Sequence, residues 1–189
     1  MDQPKRSTTL RAAHHIVAGV LAATAAIAAP PADAAADMFL KLDGIKGESK
    51  DGKHPGEIDL IAWSWGAAKG STGQRGANPT QVCGQHLSTT KFVDRATAGI
   101  LRNLTLGGTI PKARLTVRRS GQNPLEYMVI ELENVQVGSQ STHANSGSED
   151  RVVEVVTFAF SAGTLTYTEE ADDGTAGGEL KSPLPATCT

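Results

Sequence analysis

The sequence predicts a mainly β domain carrying a single α-helix. Apolar and polar residues alternate with period two in segment after segment between residues 38 and 169, and the breaks are rich in Gly, Pro, Asn and Asp. The period becomes helical once, between Asp94 and Leu106. Many antiparallel strands with one helix suit either a closed barrel or two packed sheets.

Residues 38–43 (MFLKLD) set Met38, Leu40 and Leu42 on one strand face against Phe39, Lys41 and Asp43 on the other. The next stretch, GIKGESKDGKHPGE, has four Gly and a Pro, with Ile45 its only bulky apolar residue. It reads as an exposed loop, dispensable to the fold. Residues 57–68 resume as a strand, and period two puts Trp63 and Trp65 on one face. Residues 69–79 (KGSTGQRGANP) form a second Gly-rich loop, and residues 80–91 read as another strand.

In the helical stretch, Ala98, Leu101, Leu104 and Thr105 recur at helical spacing, with Ile100 beside them. Asp94 is placed to cap its start and Gly107-Gly108 to end it. Residues 110–119 are a strand, residues 121–124 a turn, and residues 125–137 a long strand bent near Asn134. Residues 138–150 (GSQSTHANSGSED) read as a loop. Residues 151–160 and 163–169 flank Ser161-Ala162-Gly163, which predicts a hairpin turn. Residues 171–189 read as a flexible tail, anchored only at Cys188.

Residues 1–36 have a different character. Lys5, Arg6 and Arg11 make a positive start, residues 16–29 are apolar and uncharged, and Ala34-Ala35-Ala36 precede Asp37. This is the pattern of a secretory signal peptide cut after Ala36 or after Ala34. It predicts a secreted or periplasmic mature protein beginning near Asp37. Two other readings stay open: an Ala-rich extension, and translation from Met38, which would leave the chain cytoplasmic before secretion. The uncharged run falls short of the roughly 20 residues that a membrane-spanning helix needs.

Composition excludes several functions. Eighteen Lys and Arg against twenty Asp and Glu give a net charge of -2, which argues against a surface built for nucleic acid. Aromatic residues make up 4%, too few for a base-stacking platform. Cys83 and Cys188 could pair in an oxidising compartment or stay as free thiols in a reducing one.

No catalytic constellation emerges. There is no G-x-S-x-G, C-x-x-C or H-E-x-x-H, and KGSTGQRG lacks the G-K-[ST] ending of a phosphate loop. His54 and His143 fall in polar loops, and a strand would put His86 and Cys83 on opposite faces. Glu131 and Glu133 share a strand face, which a solvated surface explains without chemistry. Glu169, Glu170, Asp172 and Asp173 lack calcium-loop spacing. No catalytic, cofactor or metal site is predicted. Trp63 and Trp65 suit core or subunit-interface packing better than a ligand platform.

The wording of four segments carries a resemblance. They are DMFLKLDGIKGESKDGKHPGEIDLIAWSWG (37–66), TKFVDRATAGILRNLTLGG (90–108), ARLTVRRSGQNPLEYMVIELENVQV (113–137) and SEDRVVEVVTFAFSAGTLTYTEE (148–170). Together they resemble the haemolysin-coregulated protein (Hcp) family, the tube proteins of type VI secretion systems. The resemblance spans residues 37–170 and implies an Hcp-like β-barrel of two antiparallel sheets with one flanking helix. It further implies a homohexameric ring that stacks into a hollow tube, partners drawn from the secretion machine or small effector proteins, and no enzyme activity. The loop holding Lys46, Glu48, Ser49, Lys50, Asp51, Lys53 and His54 would reach an adjacent ring. Trp63, Trp65, Leu101 and Leu104 become candidates for the core or the subunit interface. The leader, the composition of residues 71–79 and the end GGELKSPLPATCT depart from the family pattern.

Overall fold

The computed structural model describes residues 36–69, 82–121, 124–144 and 151–188. The expected leader, up to residue 35, and the stretch at residues 71–79 expected to be a loop lie outside them. Among the described residues, ten strands and one helix follow in chain order: β1 (Ala36–Leu42), β2 (Ile58–Ser64), β3 (Ala67–Lys69), β4 (Val82–Gly84), β5 (Leu87–Phe92), α1 (Ala96–Leu106), β6 (Thr109–Arg119), β7 (Leu125–His143), β8 (Val153–Ala159), β9 (Ala162–Glu170) and β10 (Ala176–Leu184).

Eight strands make one antiparallel sheet in the order β10-β9-β7-β6-β1-β2-β5-β8, and β8 pairs back onto β7. The predicted barrel is therefore present, with six strands in its wall, and the wall is one continuous sheet. The separate ribbon β3-β4 makes a second, two-stranded sheet. Inward residues follow the predicted alternation: Leu40, Leu115 and Ile130 form one buried row across β1, β6 and β7. Leu87, Phe158 and Val137 form another across β5, β8 and β7.

Closure depends on β7. One of its edges pairs β6 from Leu125 to Gln136. The other pairs β9 from Met128 to Glu133 and then β8 from Gln136 to His143. The changeover falls at Asn134, where φ is 50°, so the predicted bend is present. The strand also runs on to His143, through residues read as loop.

This corrects the hairpin expected at Ser161-Ala162-Gly163. β8 and β9 do not pair with each other; both lie antiparallel to β7, in one register on either side of the break. Ser161 N–H donates to the Glu133 carbonyl (3.1 Å), and Asn134 Nδ2 donates to Ser161 Oγ (2.9 Å). The local sequence has hairpin chemistry, but β7 is long enough to serve both strands end to end. The flexible tail is corrected as well: residues 176–184 form β10, in register with β9 from Leu184 opposite Gly163 to Glu179 opposite Thr168.

Helix α1 begins and ends where capping chemistry predicts. Asp94 Oδ1 accepts the Ala96 N–H (2.9 Å), and Gly107 closes the helix in the left-handed conformation at φ 66°. The predicted apolar stripe is rotated. Ala96 and Ile100 are the buried residues of the helix, Leu104 is half-buried against the core, and Leu101 is 49% exposed. Helical periodicity fixes the spacing of a face but cannot say which of two adjacent faces a neighbour covers.

Beside α1 the barrel interior turns polar. Lys91 and Glu154, 1% and 0% exposed, face each other across β5 and β8 with Nζ 2.5 Å from Oε1. Lys91 also meets Asp94 (2.7 Å), while Glu154 accepts from Thr97 Oγ1 (2.8 Å) and Gln140 Nε2 (2.7 Å). Burial pushes the Glu154 carboxyl up, and the hydrogen bonds from Lys91, Gln140 and Thr97 outweigh it, leaving it below its ordinary value. One group of contacts thus ties β5, β7 and β8 to the first turn of α1.

Removing one partner strands a buried charge. Lys91→Met should lower stability by about 3–5 kcal/mol, read by urea unfolding. Adding Glu154→Leu should recover most of that loss.

Candidate functional site: a loop and an assembly surface on the barrel wall

The segment between β1 and β2 does not project. It folds onto the outer wall of the barrel, and Phe39 is the reason. Phe39 points outward from β1 yet is buried. His54 stacks on its ring with centroids 4.1 Å apart and planes 11° apart. The Arg118 guanidinium lies 5.0 Å from the same ring. His54 Nδ1 sits 3.0 Å from Glu57 Oε2, and Nε2 sits 3.4 Å from Glu126 Oε1 on β7.

Arg118 on β6 joins β1 to the loop. Its Nη2 donates to Asp37 Oδ2 (2.8 Å) and to Asp51 Oδ2 (2.6 Å), and its Nη1 to Asp51 Oδ1 (3.0 Å). Asp51 also accepts the backbone N–H groups of Lys53 (2.8 Å) and His54 (3.2 Å). The Arg118 guanidinium, with the Lys53 and His54 amides, holds the Asp51 carboxyl well below the usual carboxylate range. Asp51 and Asp37 in turn raise the guanidinium above its ordinary value. Gly47 and Gly56 close the loop base through a 2.8 Å bond, and a Cβ at Gly47 would collide with the Glu57 backbone.

The predicted loop residues therefore separate into two groups. Ser49 and His54 are buried, and Asp51 is half-buried under Arg118. These three hold the loop down, which corrects its reading as exposed throughout. Lys46, Glu48, Lys50 and Lys53 face solvent. Nothing in the sequence marks Phe39, Glu57, Glu126 or Arg118 as their partners, because these come from β1, the loop base, β7 and β6.

Other candidates also find their places. Trp63 and Trp65 are half-buried and pack against the core. The outer face of α1 exposes Leu101 and Leu106, the latter at 72%. Tyr167 on β9 and Leu180 on β10 are cross-strand partners and both exposed. Cys83 and Cys188 form a disulfide.

Chemistry is sparse among the described residues. None of their His, Cys, Asp and Glu side chains gather in a group of three able to hold a metal ion. His143 lies 3.0 Å from Ser141 Oγ on an exposed strand. Glu131 pairs with Arg114 (3.2 Å), and Glu170 pairs with Arg119. Asp173 accepts from the Thr175 hydroxyl and amide, which lower its carboxyl. A shallow concavity on the wall is lined by Lys41, Asp43, Lys112, Glu131 and Glu133.

The described residues thus form a six-stranded barrel with one helix and a folded-down β1–β2 loop. The family model described as type VI secretion system effector, Hcp, matches residues 39–167. Protein hcp1 of Pseudomonas aeruginosa is 41% identical over 151 residues, covering 78% of this chain and 93% of that protein. The crystal structure of Hcp1 from Salmonella typhimurium is 31% identical with a TM-score of 0.70, covering 80% of this chain and 95% of that one. A type VI secretion system effector from Yersinia pestis is 27% identical with a TM-score of 0.64, covering 79% of this chain and all of that one. This chain belongs to the Hcp family.

Acid should weaken the folded domain in a traceable way. Unfolded, Asp51 and Glu154 bind protons in the ordinary range, about pH 4; folded, they stay ionised to lower pH. Their contribution is present above about pH 5 and is lost as pH falls through the depressed folded values. Urea midpoints should drop steeply below about pH 4. Arg118→Ala should lower the neutral-pH midpoint and flatten that drop.

Proposed function

We propose that residues 37–189 assemble as a homohexameric ring, that rings stack into a hollow tube, and that the lumen carries effector proteins. The role is structural, not enzymatic, and needs no cofactor. The observation that carries this reading is the family match over residues 39–167, which spans the barrel. The partners are other copies of the chain, secretion-machine components or small effectors.

Surface chemistry supports it. A heterologous contact closes into a ring when its rotation permits. Leu101 and Leu106 on α1 offer apolar area for such a contact, and among the described residues the outer edge of β10 is unpaired, as expected where a neighbour protects it. Lys46, Glu48, Lys50 and Lys53 offer charge toward an adjacent ring.

The leader pattern supports removal of residues 1–36 and a secreted or periplasmic location; initiation at Met38 would instead keep the subunit cytoplasmic before secretion. A second reading is an exported Hcp-like binding module acting outside a secretion machine. The leader and the Cys83–Cys188 disulfide favour it, since both suit an oxidising compartment.

Light scattering during gel filtration of residues 37–189 separates the two. Particles of six subunits, annular in electron micrographs, support the ring; monomers at high concentration favour the module. Leu101→Glu should change monomer stability by no more than about 1 kcal/mol while depleting rings. N-terminal sequencing of exported protein should return Asp37 or Ala35 first; Met38 or Met1 would remove the leader reading.

A further inference from the structure

The β3–β4 ribbon is tied to the barrel in an unusual way. Among the described residues its strands pair with each other and with no strand of the main sheet, and every residue of β3 is exposed. The segment Pro185–Cys188 crosses to it after β10 ends. Gly84 N–H donates to the Ala186 carbonyl (2.9 Å), and Cys188 N–H donates to the Gly84 carbonyl (3.4 Å). The same segment holds the barrel on its other side: Thr187 N–H donates to the Phe160 carbonyl (3.0 Å), and Phe160 N–H donates to Thr187 Oγ1 (3.1 Å). Phe160 sits at the break between β8 and β9. A Cβ at Gly84 would collide with the Pro185 carbonyl, so the crossing requires glycine there.

The disulfide closes this crossing. Cys83 and Cys188 are 105 residues apart in sequence, with Cα atoms 5.4 Å apart, and Cys188 is exposed. A four-residue segment beyond β10, held by four hydrogen bonds and outside the strand ladders, opens locally more readily than the barrel sheet.

We propose that Cys83 and Cys188 form a redox-gated clasp, which fixes the ribbon and the Pro185–Cys188 segment to the barrel when oxidised and frees both when reduced. Closing needs a disulfide-bearing oxidant. One cysteine thiolate attacks a sulfur of that disulfide and forms a mixed disulfide. The second thiolate then displaces the oxidant. The protein loses two protons and two electrons, and the oxidant leaves as a dithiol or as two thiols. The ribbon is therefore a surface whose order reports the redox state of its compartment. This concerns one subunit and does not depend on ring formation.

The test uses the folded, oxidised chain and hydrogen exchange read by peptide, before and after dithiothreitol. Peptides holding Val82–Gly84 and Pro185–Cys188 should exchange at least about tenfold faster when reduced. Amides of β1, β6 and β7 should stay unchanged, and oxidised glutathione should restore protection. The double variant Cys83→Ser, Cys188→Ser should match the reduced protein and ignore both reagents. Unchanged exchange on reduction would overturn the proposal, and so would free thiols in the oxidised protein by mass. A rise spread evenly over the barrel would overturn it too, since the bond would then be a staple for the whole fold. Reduction of the already folded protein decides the matter even if the double variant fails to fold.

Discussion

The barrel exists because β7 gives one edge to two partners in succession. An open sheet of eight strands would leave β8 unpaired along its second side, with backbone groups free to pair with other chains. β7 prevents this by meeting β9 before Asn134 and β8 after it. Once β8 is seated, the rows through Leu115 and Phe158 face a common interior. The β9–β10 pair is left outside the closed wall, where it continues the sheet as a flange.

A closed barrel must also fill its ends. Here α1 contributes Ala96 and Ile100 to the core, and the polar contacts around Lys91 and Glu154 hold its first turn in place. Such a pair adds little net stability, since desolvation of two ions offsets much of their attraction. Lys91, Asp94, Thr97, Gln140 and Glu154 find partners together in one arrangement of helix and wall, and another arrangement would strand a charge. The outward face of α1 then follows, with Leu101 and Leu106 toward solvent.

The β1–β2 loop obeys the same logic from outside. Phe39 is apolar on a face that looks away from the core, so something must cover it. His54 and Arg118 do so, and Arg118 is neutralised by Asp51 from the loop and Asp37 from β1. A Gly-rich polar sequence thus becomes an ordered strap, with four charged residues left on its solvent side. An ordered loop loses less entropy on docking than a free one.

Strand alternation, the single helix with its Asp94 and Gly107 caps, and the bend near Asn134 were all readable from residue order. They rest on local periodicity and backbone preference, which neighbours in sequence determine. Family membership was readable too, through the wording of four collinear segments. Residue order could not show that Ser161-Ala162-Gly163 continues a strand line, because that depends on the length of β7. It could not orient α1, order the β1–β2 loop or give β10 a partner, because Lys91–Glu154, Phe39–His54, Arg118–Asp51 and Leu184–Gly163 join residues from separate elements. Those contacts arise only when the barrel closes and brings distant strands within hydrogen-bonding and packing distance. The spacing of cysteines likewise allowed two states, and the crossing of Pro185–Cys188 beside Gly84 brought the two sulfurs together.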